Sequence, residues 1–191
     1  MVSSAIHLKN RLSNEEFFDL CQMNELRLER NKNGQITIME PAGAETGGFN
    51  QEVSGELWSW NKTHQTGRAF DSSAGFILPN SAIKSPDSSW ITRDRWAALS
   101  PAVRKKFPPI SPDFVLEIRS ESDRLSELKE KMTEYIQNGV RLGWLIDRQA
   151  EKTYIYRTDG TQATVDFKDY LSGEDVLVGF RLRIADLIWE D

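Results

Sequence analysis

The sequence predicts an α/β fold: a central mixed sheet flanked by helices, preceded by an N-terminal helix and a hairpin. Three features carry that prediction. Residues 113–119, Asp-Phe-Val-Leu-Glu-Ile-Arg, alternate polar and apolar with the period of a strand. Over 123–138 Leu125, Leu128, Met132, Tyr135 and Ile136 fall on one helical face, and Gly139 stops the pattern. Residues 141–147, Arg-Leu-Gly-Trp-Leu-Ile-Asp, then read as a buried strand and complete a strand–helix–strand unit.

The other elements follow in order. Residues 1–11 are expected to be a loose tail, and the 191 residues together a single domain. Ser13-Asn-Glu-Glu16 is a capping box ahead of Phe17, Phe18, Leu20 and Cys21 at helical spacing. Residues 26–30 and 35–39 alternate on either side of Asn33-Gly34, the signature of a hairpin. The Gly-rich run 41–48 is expected to break the chain. A second helix, capped by Asn50, is expected over about 51–66, with Val53, Leu57, Trp60 and His64 as its buried stripe. Trp58 and Trp60 lie on different faces of that helix, which leaves one exposed. Short strands are expected at 68–72, at 76–79 and after Pro86. Ser100-Pro101 opens a short helix, with Ser as cap and Pro at the first helical position. Residues 153–156 and 163–167 around Asp159-Gly160 form a last hairpin. The chain closes with the segment 176–180 and a short amphipathic turn ending at Trp189.

Composition removes several chemistries. No apolar run approaches the roughly 18–20 residues of a membrane span, so no membrane partner is expected. The N-terminus lacks the apolar core of a signal peptide, and the single Cys21 forms no internal disulfide; a reducing, cytoplasmic setting is the expectation. Two histidines, His7 and His64, and one cysteine cannot assemble a structural zinc site of about four ligands. No nucleophile-elbow, Walker or dinucleotide-binding glycine motif is present. Catalysis would fall to carboxylates, Lys, Arg, Tyr or a bound metal. A net charge of −5 argues against a uniformly basic nucleic-acid binder but allows a local basic surface. It also allows a carboxylate site that a divalent cation neutralises.

Two strands concentrate such carboxylates. Alternation puts Asp113, Val115, Glu117 and Arg119 on one face of 113–119, with Phe114, Leu116 and Ile118 on the other. The plain alternative is a half-exposed edge strand with solvated charges. Ser85-Pro86-Asp87 places a second carboxylate at the opening of another strand. Two strands that each deliver a carboxylate to one point can hold Mg²⁺, which prefers oxygen ligands. Pro-Asp, then about thirty residues, then Glu-x-Lys/Arg is a pattern of metal-dependent nucleases. The segment Arg93–Lys106 lies between the two motifs and is rich in Arg and Lys, so it could meet phosphates beside such a site or simply be a solvated loop.

These residues also carry a family resemblance. Ser81-Ala-Ile-Lys-Ser-Pro-Asp87-Ser-Ser-Trp-Ile91, Pro112-Asp-Phe-Val-Leu-Glu117-Ile-Arg-Ser120 and the run from Asp123 to Asp147 resemble the Uma-two family of restriction-endonuclease-type proteins, over about Leu12 to Trp189. The resemblance implies a restriction-endonuclease-like core of the PD-(D/E)xK superfamily and a Mg²⁺- or Mn²⁺-dependent endonuclease acting on DNA. It assigns Asp87 and Glu117 to the metal, with Glu52 completing the shell; Asp113 is either a further ligand or a cap at the entry of its strand. Where the motif has Lys, this chain has Arg119. A guanidinium stays protonated and is no general base, but it can hold a phosphate. The lysine role then passes to Lys131 on the following helix, one turn from Tyr135 on the same face; Tyr135 is a candidate substrate contact, or else a packed side chain with its hydroxyl bonded. The plain alternative for Lys131 is a solvated residue paired with Glu127, and for Glu52 a polar helix face with Glu56. Lys131 is expected within about 4 Å of Glu117 or Asp113, the reach of an ion pair. Cutting both strands with one site per chain implies a homodimer. The alternative reading is a nuclease-fold protein without catalysis, acting in binding or regulation.

Overall fold

The computed structural model describes residues 5–6, 12–23, 27–39 and 41–188. The first half runs β1 (Ala5–Ile6), α1 (Asn14–Met23), β2 (Leu28–Arg30), β3 (Ile36–Ile38), α2 (Ala44–His64), β4 (Gly67–Asp71), β5 (Phe76–Ile77), β6 (Ile83–Lys84) and β7 (Ser88–Thr92). The second half runs α3 (Arg93–Ala97), α4 (Pro101–Arg104), β8 (Phe114–Arg119), α5 (Leu125–Gln137), β9 (Leu142–Asp147), β10 (Lys152–Arg157), β11 (Gln162–Asp166), β12 (Tyr170–Ser172) and β13 (Arg181–Arg183). A 3-10 turn over Ile184–Leu187 follows.

The central sheet has the order β11-β10-β9-β8-β7-β4. It is mixed: β8 and β9 are parallel, joined by α5 as a crossover, and the other pairs are antiparallel. β8 is therefore an interior strand, not the edge strand that its charges allow. Phe114, Leu116 and Ile118 pack with Phe49, Val53, Leu57 and Trp60 of α2 on one face. Val115 packs with Met132 and Tyr135 of α5 on the other. A polar strand face is tolerated here because its charges are paired, as shown below.

A second sheet, β1-β3-β2-β6-β5, was not foreseen in the sequence. It contains the expected hairpin, with Arg30 opposite Ile36 and Leu28 opposite Ile38. The Ser13 capping box forms as expected: the Glu16 carboxylate accepts from Ser13 N–H at 2.8 Å, and Ser13 Oγ accepts from Glu16 N–H at 3.2 Å. Within the segment expected as a loose tail, Ala5 and Ile6 pair with β3. The expected end at Trp189 lies outside the described residues.

Two local expectations are corrected, and one closing segment is defined. α2 begins at Ala44 behind Gly43, about two turns before the expected Asn50 cap, and runs through Gly47 and Gly48. Glycine costs up to ~1 kcal/mol each in a helix, whereas burying Phe49, one turn before Val53, returns ~1.5–3 kcal/mol. His64 is exposed rather than buried; its ring stacks on Trp60 with centroids 5.1 Å apart. Residues 174–179 form turns between β12 and β13, and Val176, Leu177 and Phe180 are buried without joining a ladder.

Candidate active site

Position along β8 decides which carboxylates meet. Ser88 pairs with Leu116, so extending the register by one residue sets Asp87 opposite Glu117. Asp87 Oδ2 accepts the Ile118 N–H at 2.8 Å, which fixes its side chain against β8. Glu117 is almost fully buried, and its Oε1 receives Lys131 Nζ at 2.8 Å and the Tyr135 hydroxyl at 2.9 Å. The expected Lys131–Glu117 contact is therefore present. Lys131 and Tyr135 reach the same oxygen because four residues apart is one turn of α5.

The second sheet supplies what the sequence reading missed. Glu29, in the middle of β2, is buried and lies 2.9 Å from Lys131 Nζ. Its Oε1 also accepts the Ser85 N–H at 3.0 Å, and its Oε2 lies 3.3 Å from Lys84 Nζ. Lys84 in turn reaches Glu134 at 3.5 Å. Lys131 thus bridges Glu117 of one sheet and Glu29 of the other. The available signals were a glutamate inside a three-residue strand and a lysine three residues before Asp87. Neither indicates that the two sheets converge.

Four carboxylates here face Lys84 and Lys131, with Arg27 acting on Asp87 from further out, so negative charge is in excess. Burial above all, then the nearby Asp87 and Glu29 charges, pushes Glu117 up to about 7 against the lowering effect of Lys131. Burial likewise raises Asp87, partly offset by the Ile118 hydrogen bond. Burial would raise Glu29 too, but Lys131 and Lys84 outweigh it and hold Glu29 below the usual carboxylate range. Burial opposes the Lys131 charge, yet Glu117 and Glu29 outweigh it and keep the ammonium protonated well beyond the ordinary lysine range. The Tyr135 hydroxyl is raised well above its usual range by burial and by Glu117, so it serves as a hydrogen-bond donor.

The remaining candidates lie elsewhere. Asp113 is four residues before Glu117, about 13 Å along the strand. Its Oδ1 pairs with Arg95 at 2.8 Å and its Oδ2 accepts Thr92 N–H at 2.9 Å, so it ties the entry of β8 to β7 and α3. Arg119 places one guanidinium nitrogen 3.1 and 3.2 Å from the two oxygens of buried Asp147, its partner across the parallel register. Its Nε–H donates to the Asp123 carbonyl at 3.3 Å. Glu52 is carried by α2, which packs on the Leu116 face, whereas Glu117 projects from the Val115 face. The structure thus brings together Asp87, Glu117, Lys131 and Tyr135, and sets Asp113, Arg119 and Glu52 apart from them. Among the described residues, no group of three or more His, Cys, Asp or Glu is placed to hold a metal ion. Asp87 Oδ1 and Glu117 Oε2 accept no hydrogen bond there. Among the described residues, no helix is long and apolar enough to cross a membrane.

Comparison with known proteins bears on the fold and on the family. A solved structure titled as a putative nuclease belonging to DUF820, from Anabaena variabilis ATCC 29413, superposes with a TM-score of 0.74 at 19% identity, covering 92% of this chain and 97% of that one. At that identity the likeness establishes the fold, a nuclease-like mixed sheet flanked by helices. No curated protein matches the sequence. The model of the Uma2 family, described as "Putative restriction endonuclease", matches residues 14–185. The chain therefore belongs to the Uma2 family.

Proposed function

We propose that this protein is a divalent-metal-dependent endonuclease that hydrolyses phosphodiester bonds in DNA, with Asp87 and Glu117 as metal ligands and Lys131 as the catalytic cation. The observation that carries the reading is the Asp87–Glu117 pair, set in register on adjacent strands, with the Lys131 ammonium on the Glu117 oxygen. Two carboxylates, each with one oxygen left for a ligand, suit Mg²⁺, which takes one or two carboxylates and fills its shell with water and substrate phosphate. Such an ion lowers the pKa of bound water and polarises the phosphoryl oxygen.

The protein's own groups have separable tasks. Tyr135 and Lys131 hold one Glu117 oxygen and so fix the direction of the other. Ile118 N–H does the same for Asp87. The Lys131 ammonium sits where it can offset charge developing on the phosphate and orient a water. Glu29 anchors Lys131 from the opposite side. Family membership supports the nuclease reading and implies DNA as the substrate.

Supercoiled plasmid with Mg²⁺ or Mn²⁺ tests the proposal. Nicking or linearisation is expected, abolished by EDTA; intact plasmid under all metal conditions would refute it. With one such site per chain, cutting both strands calls for two copies, most simply related by a two-fold axis. Light scattering at tens of micromolar protein is expected to report a dimer, and a monomer alone would count against that arrangement.

A further inference from the structure

The outer edge of the central sheet carries a second constellation. β4 is its terminal strand, and two cavities of about 490 and 400 Å³ lie along it. They share Arg68, Ala69 and Trp96, and so form one trough around the strand edge. Its cations and tryptophans are Arg68, Arg93, Arg104, Trp58 and Trp96. Lys62 adds its ammonium 4.9 Å from the centre of the Trp58 ring. Arg68 and Arg104 lie 5.9 and 5.5 Å from the centre of the Trp96 ring.

Three facts separate this trough from ordinary surface. Among the described residues, none of its three arginines forms an ion pair with a carboxylate, although the chain carries a net charge of −5. Arg104 Nε is buried with no hydrogen-bond partner, while one of its terminal nitrogens donates to the Ala97 carbonyl at 2.8 Å. Trp58 is 55% exposed, an apolar ring left facing water. The one carboxylate in the wall, Asp71, accepts from the backbone and hydroxyl of Ser73.

One wall of the trough lies on the sheet face of the candidate active site. Phe70 pairs with Ser89, and Ser89 with Val115, so Arg68 and Phe70 share the sheet face that carries Glu117. Asp71, at the far end of β4, pairs with Ser88, next to Asp87. β4 lies two strands from β8, a lateral distance of roughly 10 Å, and Arg68, opposite Ile91, lies a further ~13 Å along the strands from the level of Asp87.

We propose that this trough binds an unpaired stretch of nucleic-acid strand a few nucleotides from the bond to be cut. The inference rests on the nuclease reading only for what is cut. Guanidiniums without a carboxylate partner suit phosphates, and the exposed Trp58 indole suits an unstacked base, a stack that strengthens binding roughly five- to 150-fold. A duplex keeps its bases stacked on one another and presents only phosphates, so the tryptophans gain nothing from it without the cost of unstacking. The preferred substrate is therefore DNA with a single-stranded segment, such as a flap, bubble or overhang.

Fluorescence anisotropy with labelled oligo(dT), in EDTA so that no cleavage intervenes, tests the inference. Wild-type protein is expected to bind oligo(dT) more tightly than the oligo(dT)·oligo(dA) duplex. Trp58→Ala, at an exposed position that leaves the core intact, is expected to weaken binding about tenfold. Arg68→Ala combined with Arg93→Ala is expected to reduce the slope of log K against log salt by about 1.4, at about 0.7 per phosphate contact. Equal or tighter binding of the duplex, no binding of oligo(dT), or binding indifferent to Trp58→Ala would overturn the inference. The two readings fail separately. Binding as expected without metal-dependent cleavage removes the nuclease reading alone, and cleavage with Trp58-independent binding removes the trough alone.

Discussion

Lys131→Ala is expected to destabilise the fold by ~3–5 kcal/mol, the cost of removing one partner from a buried ion-pair network. Lys131 is only 12% exposed at its side chain and holds Glu29 at 2.9 Å and Glu117 at 2.8 Å. Without it, Glu29 keeps Lys84, but Glu117 keeps only the Tyr135 hydroxyl among its described partners. Urea unfolding, read as a shift in midpoint at constant slope, measures the loss. The same substitution is expected to lower turnover more than Arg119→Ala, because Lys131 acts at the site whereas Arg119 is committed to Asp147. An unchanged midpoint, or a larger loss of turnover from Arg119→Ala, would show that Lys131 is not the cation of this site.

Asp87→Asn is expected to reduce metal-dependent cleavage by at least about 10²–10³-fold, the scale of losing one preorganised electrostatic contact to the transition state. The variant isolates charge from structure. An asparagine Oδ1 can still accept the Ile118 N–H that Asp87 Oδ2 accepts at 2.8 Å, so β7 and β8 keep their tie. What disappears is a negative charge and a strong oxygen ligand. Unfolding is expected to shift little or toward greater stability, since burial disfavours ionised Asp87 and raises its pKa. Cleavage at the wild-type rate would exclude Asp87 from the metal site.

Much of this arrangement was legible in the sequence, for reasons that also explain the gaps. Residues 113–147 state their structure locally: alternation gives β8, a single apolar stripe gives α5, and a continuous apolar run gives β9. Because these elements are adjacent in the chain, period placed Lys131 and Tyr135 on one face of the helix that follows Glu117, and the family resemblance gave Lys131 its place in the site. Asp87 came from a motif thirty residues away and needed the family resemblance. Glu29 and Lys84 were invisible because the second sheet is built from strands of two or three residues whose pairing is non-local. Nothing in the alternation of 26–30 says that its glutamate, Glu29, turns toward a helix a hundred residues later. The start of α2 was misplaced because two adjacent glycines outvote a phenylalanine in a local reading, while the tertiary core decides for Phe49. Asp113 and Arg119 share a strand face with Glu117, but period alone does not reveal that Arg95 and Asp147 already occupy them.

Whether Asp87 and Glu117 together bind a divalent cation is the claim on which the account turns, and calorimetric titration of the DNA-free protein with Mn²⁺ tests it directly. Metal binding relieves the mutual repulsion of the carboxylates that helps push Glu117 up to about 7, and it displaces a proton from a group half-protonated near neutral pH. The account predicts a saturable site with proton release near pH 7, strongly weakened by Glu117→Gln. No detectable binding at millimolar Mn²⁺, or binding unaffected by Glu117→Gln, would contradict it.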